Sequence, residues 1–325
     1  MPRPTSSAVH VDRALTNISV AHLQQQRDFA AMRVFPRVPV EHRSDKYYKF
    51  DRGDFNRDEA QLRAPGTESA GSGYGLNTGS YSADVWAFHK DVDDQVLSNS
   101  DQPLRPFENA TQFVTHKILI RMERDWASRF FTTGVWSGQE DGSGSDFTQW
   151  SDSANSDPVI DIRRGKTAVK KATGFMPNKL TVSQDVFDTL IDHPDIIDRI
   201  KYGQTQGGPA VANAETLAAV LGLDEVVVGS AIYNTADQGQ TDTHNFVLGK
   251  DALLTFSPDS PGLEVPSAGY TFAWRGFMGN INDMGFAIKR FRIEEREAER
   301  VEGQGAWDHN IVSADLGYFF TNAIA

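Results

Sequence analysis

The sequence predicts an α+β fold, and three observations carry that prediction. Residues 108–131 (ENATQFVTHKILIRMERDWASRFF) place Ala110, Phe113, Val114, Ile118, Met122, Trp126 and Phe130 three or four positions apart. That spacing is one apolar face of a single long helix. From 159 to 256 helix-like and strand-like segments alternate, which reads as an α/β region with a mixed sheet. From 285 onward the pattern is mostly strand. With 325 residues, 39% of them hydrophobic, the chain can bury a core of about two domains' worth.

Taken in order, residues 1–34 read as an arm ending in a weak helix. Val20, Leu23 and Ala30 to Met32 form a loose apolar stripe that Gln24, Gln25 and Gln26 interrupt. Pro36 and Pro39 force extended chain. Tyr47, Tyr48 and Phe50 suit a strand that starts near Lys46. The stretch from Arg52 to Ser80 is different: a charged run (RGDFNRDEAQLR) is followed by a Gly/Ser-rich tract (APGTESAGSGYGLNTGS). Neither half has helix or strand periodicity, and long structureless segments are rare inside compact domains. Flanked by strand-like Lys46–Asp51 and Tyr81–Lys90, it predicts a two-stranded excursion with a charged tip outside the domain body. A lone ribbon is marginal in water, which implies a partner subunit to rest on.

At about 1.5 Å per residue the helix over 108–131 would be roughly 36 Å long. Residues 137–158 then read as a surface loop. Asp161–Ala172 predicts a helix with Gly174 as its stop, Lys179–Val182 a strand, and Ser183 the cap of a helix to His193. Pro194–Tyr202 and Ala214–Leu221 are further helices, the latter ending at Gly222. Glu225–Gly229, Phe246–Leu248 and Ala252–Phe256 are strands. In Gly285–Glu294, Phe286 and Ile288 share one face but Phe291 and Ile293 the other, a phase change that predicts a bulge. The charged run EEREAER leads to a turn expected at Gly303, a return strand near Trp307–Ser313 and a last strand, Gly317–Thr321.

The chemistry is sparse. Forty-four acidic residues against 32 basic ones leave a net charge of -12, the wrong sign for a surface that grips duplex by neutralising phosphates. The segment 1–65 has 11 Lys/Arg and 8 Asp/Glu, a balance of +3, so residues 66–325 carry -15. Zero cysteines exclude disulfides, thiolate metal sites and cysteine nucleophiles. Met1–His10 has no apolar signal core and no apolar run is long enough to span a bilayer, so a soluble, cytosolically made protein with no membrane partner is expected. There is no GxSxG, HExxH or Walker sequence. Glycines 71, 73, 75 and 79 lack the preceding strand and following helix of a phosphate cradle and read as a loop tip. Asp51, Asp54, Asn56, Asp58 and Glu59 offer oxygen ligands, but not at EF-hand spacing, and Arg52 and Arg57 are interleaved as ion-pair partners. The eight histidines show no i, i+4 pair. No catalytic, cofactor-binding or metal residue is expected.

The order of elements and the local wording resemble a known family. ALTNISVAH (14–22), FPRVPV (35–40), DKYYKFDRGDFNRDEAQLRAPGTES (45–69), RDWASRFFTTGVW (124–136), PNKLTVSQDVFDTLIDHPDIIDRIKYG (177–203) and LGLDEVVVGSAIYN (221–234) are similar to stretches of tailed-bacteriophage major capsid proteins with the Hong-Kong-97-like fold. The resemblance implies an N-terminal arm (1–40), an extended loop (41–90), a peripheral domain (91–157 and 280–316, spine helix 108–131) and an axial α/β domain (158–279 and 317–325). It further implies an icosahedral phage head built from homo-hexamers and homo-pentamers, assembled in the host cytoplasm. Scaffolding, portal and decoration proteins are the implied partners, and double-stranded DNA is enclosed but not tightly bound. Arg52, Asp54, Arg57, Asp58 and Glu59 would make intersubunit contacts, and Arg3 and Arg13 weak DNA contacts. Since the recognisable arm begins by residue 14, scaffolding would come from another protein. No Lys/Asn/Glu set matches the isopeptide cross-link of some members. The rival readings are an encapsulin, a cargo-enclosing shell of the same fold, and more remotely a metal-dependent hydrolase using the carboxylates of 51–59.

Overall fold

The computed structural model describes residues 24–50, 52–100, 104–144, 146–203, 213–262, 265–276 and 286–325. In the described part of the arm, helical structure is limited to the short 3-10 turn Gln26–Asp28. Of the residues expected in a weak helix, Val20 and Leu23 lie outside the described residues, while Ala30 to Met32 form a turn that enters the interior, where Phe29, Ala30, Ala31, Val34 and Phe35 are all buried. Burial of irregular backbone needs acceptors for its N–H groups, and the Glu123 carboxylate supplies them to Ala30 (3.0 Å) and Ala31 (2.8 Å). Pro36 then directs the chain into β1 (Arg37–Val40), where Pro39 is tolerated because β1 is an edge strand.

Next come β2 (Ser44–Phe50), the one-turn helix α1 (Arg52–Phe55), β3 (Leu76–Ser82), β4 (Asp84–Asp93) and α2 (Asp94–Ser98). The long helix, α3, runs Pro106–Phe130 with proline in its first turn, where the missing N–H costs nothing. Of the seven residues expected on its apolar face, all but Phe113 are buried. After it come β5 (Gly138–Asp141), α4 (Pro158–Thr173), β6 (Lys179–Ser183), α5 (Gln184–Ile191), α6 (Pro194–Gly203) and α7 (Ala214–Leu221). The remaining strands are β7 (Glu225–Gly229), β8 (Ile232–Asn234), β9 (His244–Phe246), β10 (Ala252–Thr255), β11 (Gly269–Trp274), β12 (Phe286–Ile293), β13 (Ala298–Ile311) and β14 (Gly317–Thr321).

One sheet has the order β1-β11-β13-β12, with β4 also on β13. The long helix lies across β13 and β4. Gly303 is in the middle of β13 and not at a turn: a Cβ there would overlap Ile118 and Val114, so the missing side chain lets helix and sheet close up. The reversal comes earlier, at the 3-10 turn Glu294–Arg296, where Glu297 takes a left-handed φ of 45°. Pairing of β12 with β13 is unbroken from Phe286↔Gly305 to Ile293↔Ala298, so the expected bulge is absent from the described ladder. The phase change has another cause. β12 is an edge strand with little packed on either face, and both Ile288 and Phe291 are exposed.

The other large sheet has the order β5-β14-β10-β6-β7 and is mixed, with β5–β14 and β6–β7 parallel. Local signals act here as read from the sequence. The Ser183 hydroxyl accepts from Val186 N–H at the start of α5, and Gly174 and Gly222 end their helices at φ 85° and 61°. The stretch 137–158 is more than a surface loop: it contains β5, and Trp150 is fully buried with its Nε1 donating to Asp161 at 3.1 Å. Alternation along β14 joins the two cores. Phe319 faces the cluster under the long helix with Trp126, Phe130 and Trp307, and Phe320 faces the cluster of Trp150, Ile162, Leu180 and Leu254.

Candidate assembly surface

β2 and β3 pair only with each other, from Ser44↔Ser82 at the root to Phe50↔Leu76 at the far end. This is the excursion the sequence predicted, with its return strand at 76–82. The segment expected to return, 81–90, belongs mostly to β4 and pairs with β13. Gly79 permits the ribbon's close pairing, because a Cβ there would overlap the Tyr47 ring.

The root is held firmly. Tyr81 stacks on Phe272 at 4.5 Å and 13°, and Asn310 Nδ2 donates to Ser80 O at 2.7 Å. Asp308 accepts from Ser82 N–H at 3.0 Å and from Arg129, in the last turn of the long helix, at 2.6 Å. Burial raises the Asp308 carboxyl above its ordinary value, opposed by those two donors.

Beyond the root the ribbon has little to rest on. Tyr48, Phe50, Phe55, Leu62, Tyr74 and Leu76 are exposed, Leu62 completely. The rings of Phe50, Phe55 and Tyr74 cluster with centroids 5.4 to 5.9 Å apart. Contiguous apolar surface of this kind marks an interaction site. Within the subunit, some of the charges expected to meet a neighbour pair with one another while staying accessible to solvent. Arg57 pairs with Asp54 at 3.4 Å and with Glu59 at 3.2 Å, and Asp54 accepts from Gly75 N–H at 2.8 Å, tying the two sides of the tip. Hydrogen bonds from Ser72 and Arg57 hold the Glu59 carboxyl below its ordinary value. Asp58 is exposed, and Arg52 opens α1. Arg3 and Arg13 lie outside the described residues. The sequence reading found the excursion and its charges but not the apolar cluster of Phe50, Phe55 and Tyr74, whose partners are one another and whose spacing follows no helix or strand period.

One side-chain set elsewhere in the subunit has the outline of a catalytic arrangement. Ser156 Oγ stands 3.1 Å from His193 Nε2, and Asp195 is beside Nδ1 at 3.7 Å, a serine–histidine–aspartate order. The hydrogen bonds run the wrong way. His193 Nδ1 accepts from the Asp195 N–H at 3.3 Å, which puts the ring proton on Nε2, and Ser156 donates its own proton to Asp152 O at 2.7 Å. Both side chains are buried, so the set braces the start of α6. A depression of about 270 Å³ beside Arg33 is lined by ion pairs, Lys179 to Asp259 at 3.1 Å and Arg33 to Glu225 at 2.7 Å. Among the described residues no three histidine or carboxylate side chains converge as a metal site, and no helix is long and apolar enough to cross a membrane.

Known proteins provide an independent comparison. The model of the family described as phage major capsid protein E matches residues 147–267. The major capsid protein of Burkholderia phage BcepMu is 26% identical over 320 residues, 96% of each chain, and that of Pseudomonas phage JBD67 is 25% identical over 327 residues, 97% of each. Among solved structures, a phage-related protein from Bordetella bronchiseptica RB50 superposes with a TM-score of 0.68 at 20% identity, covering 92% of this chain and 93% of that one. The capsid protein of cyanophage P-SCSP1u gives 0.60 at 10% identity (97% and 93%). The encapsulin of Synechococcus elongatus PCC 7942 gives 0.57 at 11% (99% and 96%), so phage capsids and encapsulins share this fold. The architecture is that of the Hong-Kong-97-like capsid proteins. The family model and the two full-length relatives together support a structural subunit of a phage capsid, similar to the major capsid proteins of tailed phages.

Proposed function

We propose that this subunit assembles as hexamers and pentamers into an icosahedral head that encloses double-stranded DNA and performs no catalysis. In this reading residues 1–40 are the arm, 41–90 the extended loop, 91–157 with 280–316 the peripheral domain, and 158–279 with 317–325 the axial domain. Assembly takes place in the host cytoplasm with separate scaffolding and portal proteins, and a decoration protein can be added to the finished shell. The observation that carries the reading is the ribbon: a well-anchored root and an apolar tip left exposed among the described residues. A flat surface on a neighbouring copy would cover Phe50, Phe55 and Leu62, and the charged residues 52–59 would shape the tip and line the contact's rim.

Deleting Arg57–Ala70 is the test. The shortened chain is expected to keep its fold by circular dichroism and to sediment as free subunit, with no shells by electron microscopy. Normal shells from the deletion variant would refute the loop's role. Particles of the full chain that hold a protein cargo and no nucleic acid would refute the phage head in favour of a cargo compartment.

A further inference from the structure

The exposed face of the long helix carries an unusual set of charges for so acidic a protein. Lys117, Arg121 and Arg124 follow one another at spacings of four and three, so they project from one stripe of α3 about 10 Å long. All three are exposed, and among the described residues none makes an ion pair. The arginines near the two ends of the helix are neutralised, Arg129 by Asp308 and Arg105 by Glu108, as are Arg292 by Asp94 and Arg290 by Glu299.

What holds the stripe is aromatic. The Arg121 guanidinium lies 3.8 Å from the centre of the Trp86 ring, Arg124 is 4.6 Å from Tyr233, and Lys117 is 5.5 Å from Phe113. Lys90, from β4, also approaches the Phe113 ring, at 5.3 Å. Cation–π seating fixes a side chain while leaving its charge and its outward N–H groups unspent. A carboxylate partner would have consumed both. Gln24 lies beside the same stripe: its side-chain amide donates to Ile232 O and accepts from Ile232 N–H, next to Tyr233.

We infer that this stripe is a weak, sequence-independent contact for the phosphates of the enclosed duplex, and that the helix face carrying it is turned to the shell interior. The inference rests on the proposed DNA-enclosing shell. A wall facing packed polyanion with net negative charge would repel it at distances of a Debye length or less. Three free cations per subunit relieve that repulsion without an adhesive surface, because each neutralised phosphate contributes a salt-sensitive increment and no base contact is made.

The test uses the full chain and a labelled 30-base-pair duplex between 50 and 200 mM salt. Replacing all three cations (K117Q, R121Q, R124Q) is expected to lower the slope of log affinity against log salt by about 2.7, or 0.9 per contact removed. Because Arg121 packs on Trp86, the K117Q/R124Q pair is a second variant, expected to lower the slope by about 1.8. Both are expected to form shells as the parent does. An unchanged slope overturns the inference, as does complete loss of duplex binding on deleting residues 1–13 alone. Loss of shells in a folded K117Q/R124Q variant would make the stripe a subunit contact, and binding of an acidic helical peptide but not duplex would make it a protein-docking face; either overturns it. Failure of the parent chain to form shells would count against the proposed function instead, so the two are read separately.

Discussion

Trp126 and Leu62 lie at opposite extremes of the same chain. Trp126 is fully buried, wedged between Phe35, Phe130 and Phe131 with ring centroids 5.3 to 6.0 Å away. Leu62 touches almost nothing. The body around Trp126 has its helix, two sheets and arm residues locked together, whereas the ribbon beyond Tyr47 and Gly79 is held mainly by its own ladder and the tip's internal ion pairs. In the proposed reading the difference separates two energetic tasks: the body would make the subunit stable before it meets a copy, and the ribbon would keep its apolar area for that meeting.

The comparison is most sharply broken in the body. Trp126→Ala is expected to destabilise the free subunit by about 3–5 kcal/mol, measured by urea unfolding. A loss below about 1 kcal/mol would mean that the helix is held elsewhere.

Glu123 gives the next largest effect and adds a pH sign. Burial pushes its carboxyl up to about 7, against the lowering pull of the Ala31 and Ala30 N–H groups. Since the folded value lies above the ordinary value of 4.5, folding takes up a proton between the two. This contribution is complete below pH 4.5 and is lost as pH rises through about 7, amounting to roughly 3 kcal/mol at most. The unfolding free energy of the parent minus that of Glu123→Gln is therefore expected to fall from pH 5 to pH 8. Taking the difference isolates Glu123 from other buried groups such as His309, whose ring burial pushes down to about 3. A flat difference would show that Glu123 is ionised throughout as a carboxylate cap on the arm.

Gly303→Ala comes third. Its Cβ would press on Ile118 and Val114, so a cost of about 1–3 kcal/mol from overpacking is expected by the same unfolding measurement. Gly303 also shows why parts of this fold were illegible. Gly174 and Gly222 were read correctly as helix ends because a cap is a local event, decided within one turn. Gly303 answers to a helix some 180 residues earlier in the chain, and a lone sequence cannot tell that kind of glycine from a turn. The long helix was legible because its stripe is buried along almost its whole length. β3 (LNTGSYS) and β12 were hidden or misphased because neither has a consistently buried face to write a period of two. β11 (GYTFAW) was missed, and β5 lay inside a run of turn residues. At the ribbon tip the excursion was visible as a gap in pattern, but the pairing of Arg57 with Asp54 and Glu59 depends on how the tip folds back.

Leu62→Ser is expected to change the free subunit least and the assembly visibly. A side chain already in water has no burial to lose, so its effect on subunit stability is expected within about 0.5 kcal/mol. Covered by a neighbour, the same leucine would contribute about 1.5–3 kcal/mol per subunit. Removing it is then expected to raise the concentration at which shells appear by about 10- to 100-fold, since each 1.4 kcal/mol is a factor of ten. Light scattering against subunit concentration reads that threshold, and urea unfolding of the same sample reads the body. The two readouts must move independently. A Leu62→Ser variant that unfolds earlier but assembles at the parent's threshold would place the ribbon tip among the subunit's own packing, and the division of labour between body and ribbon would fail with it.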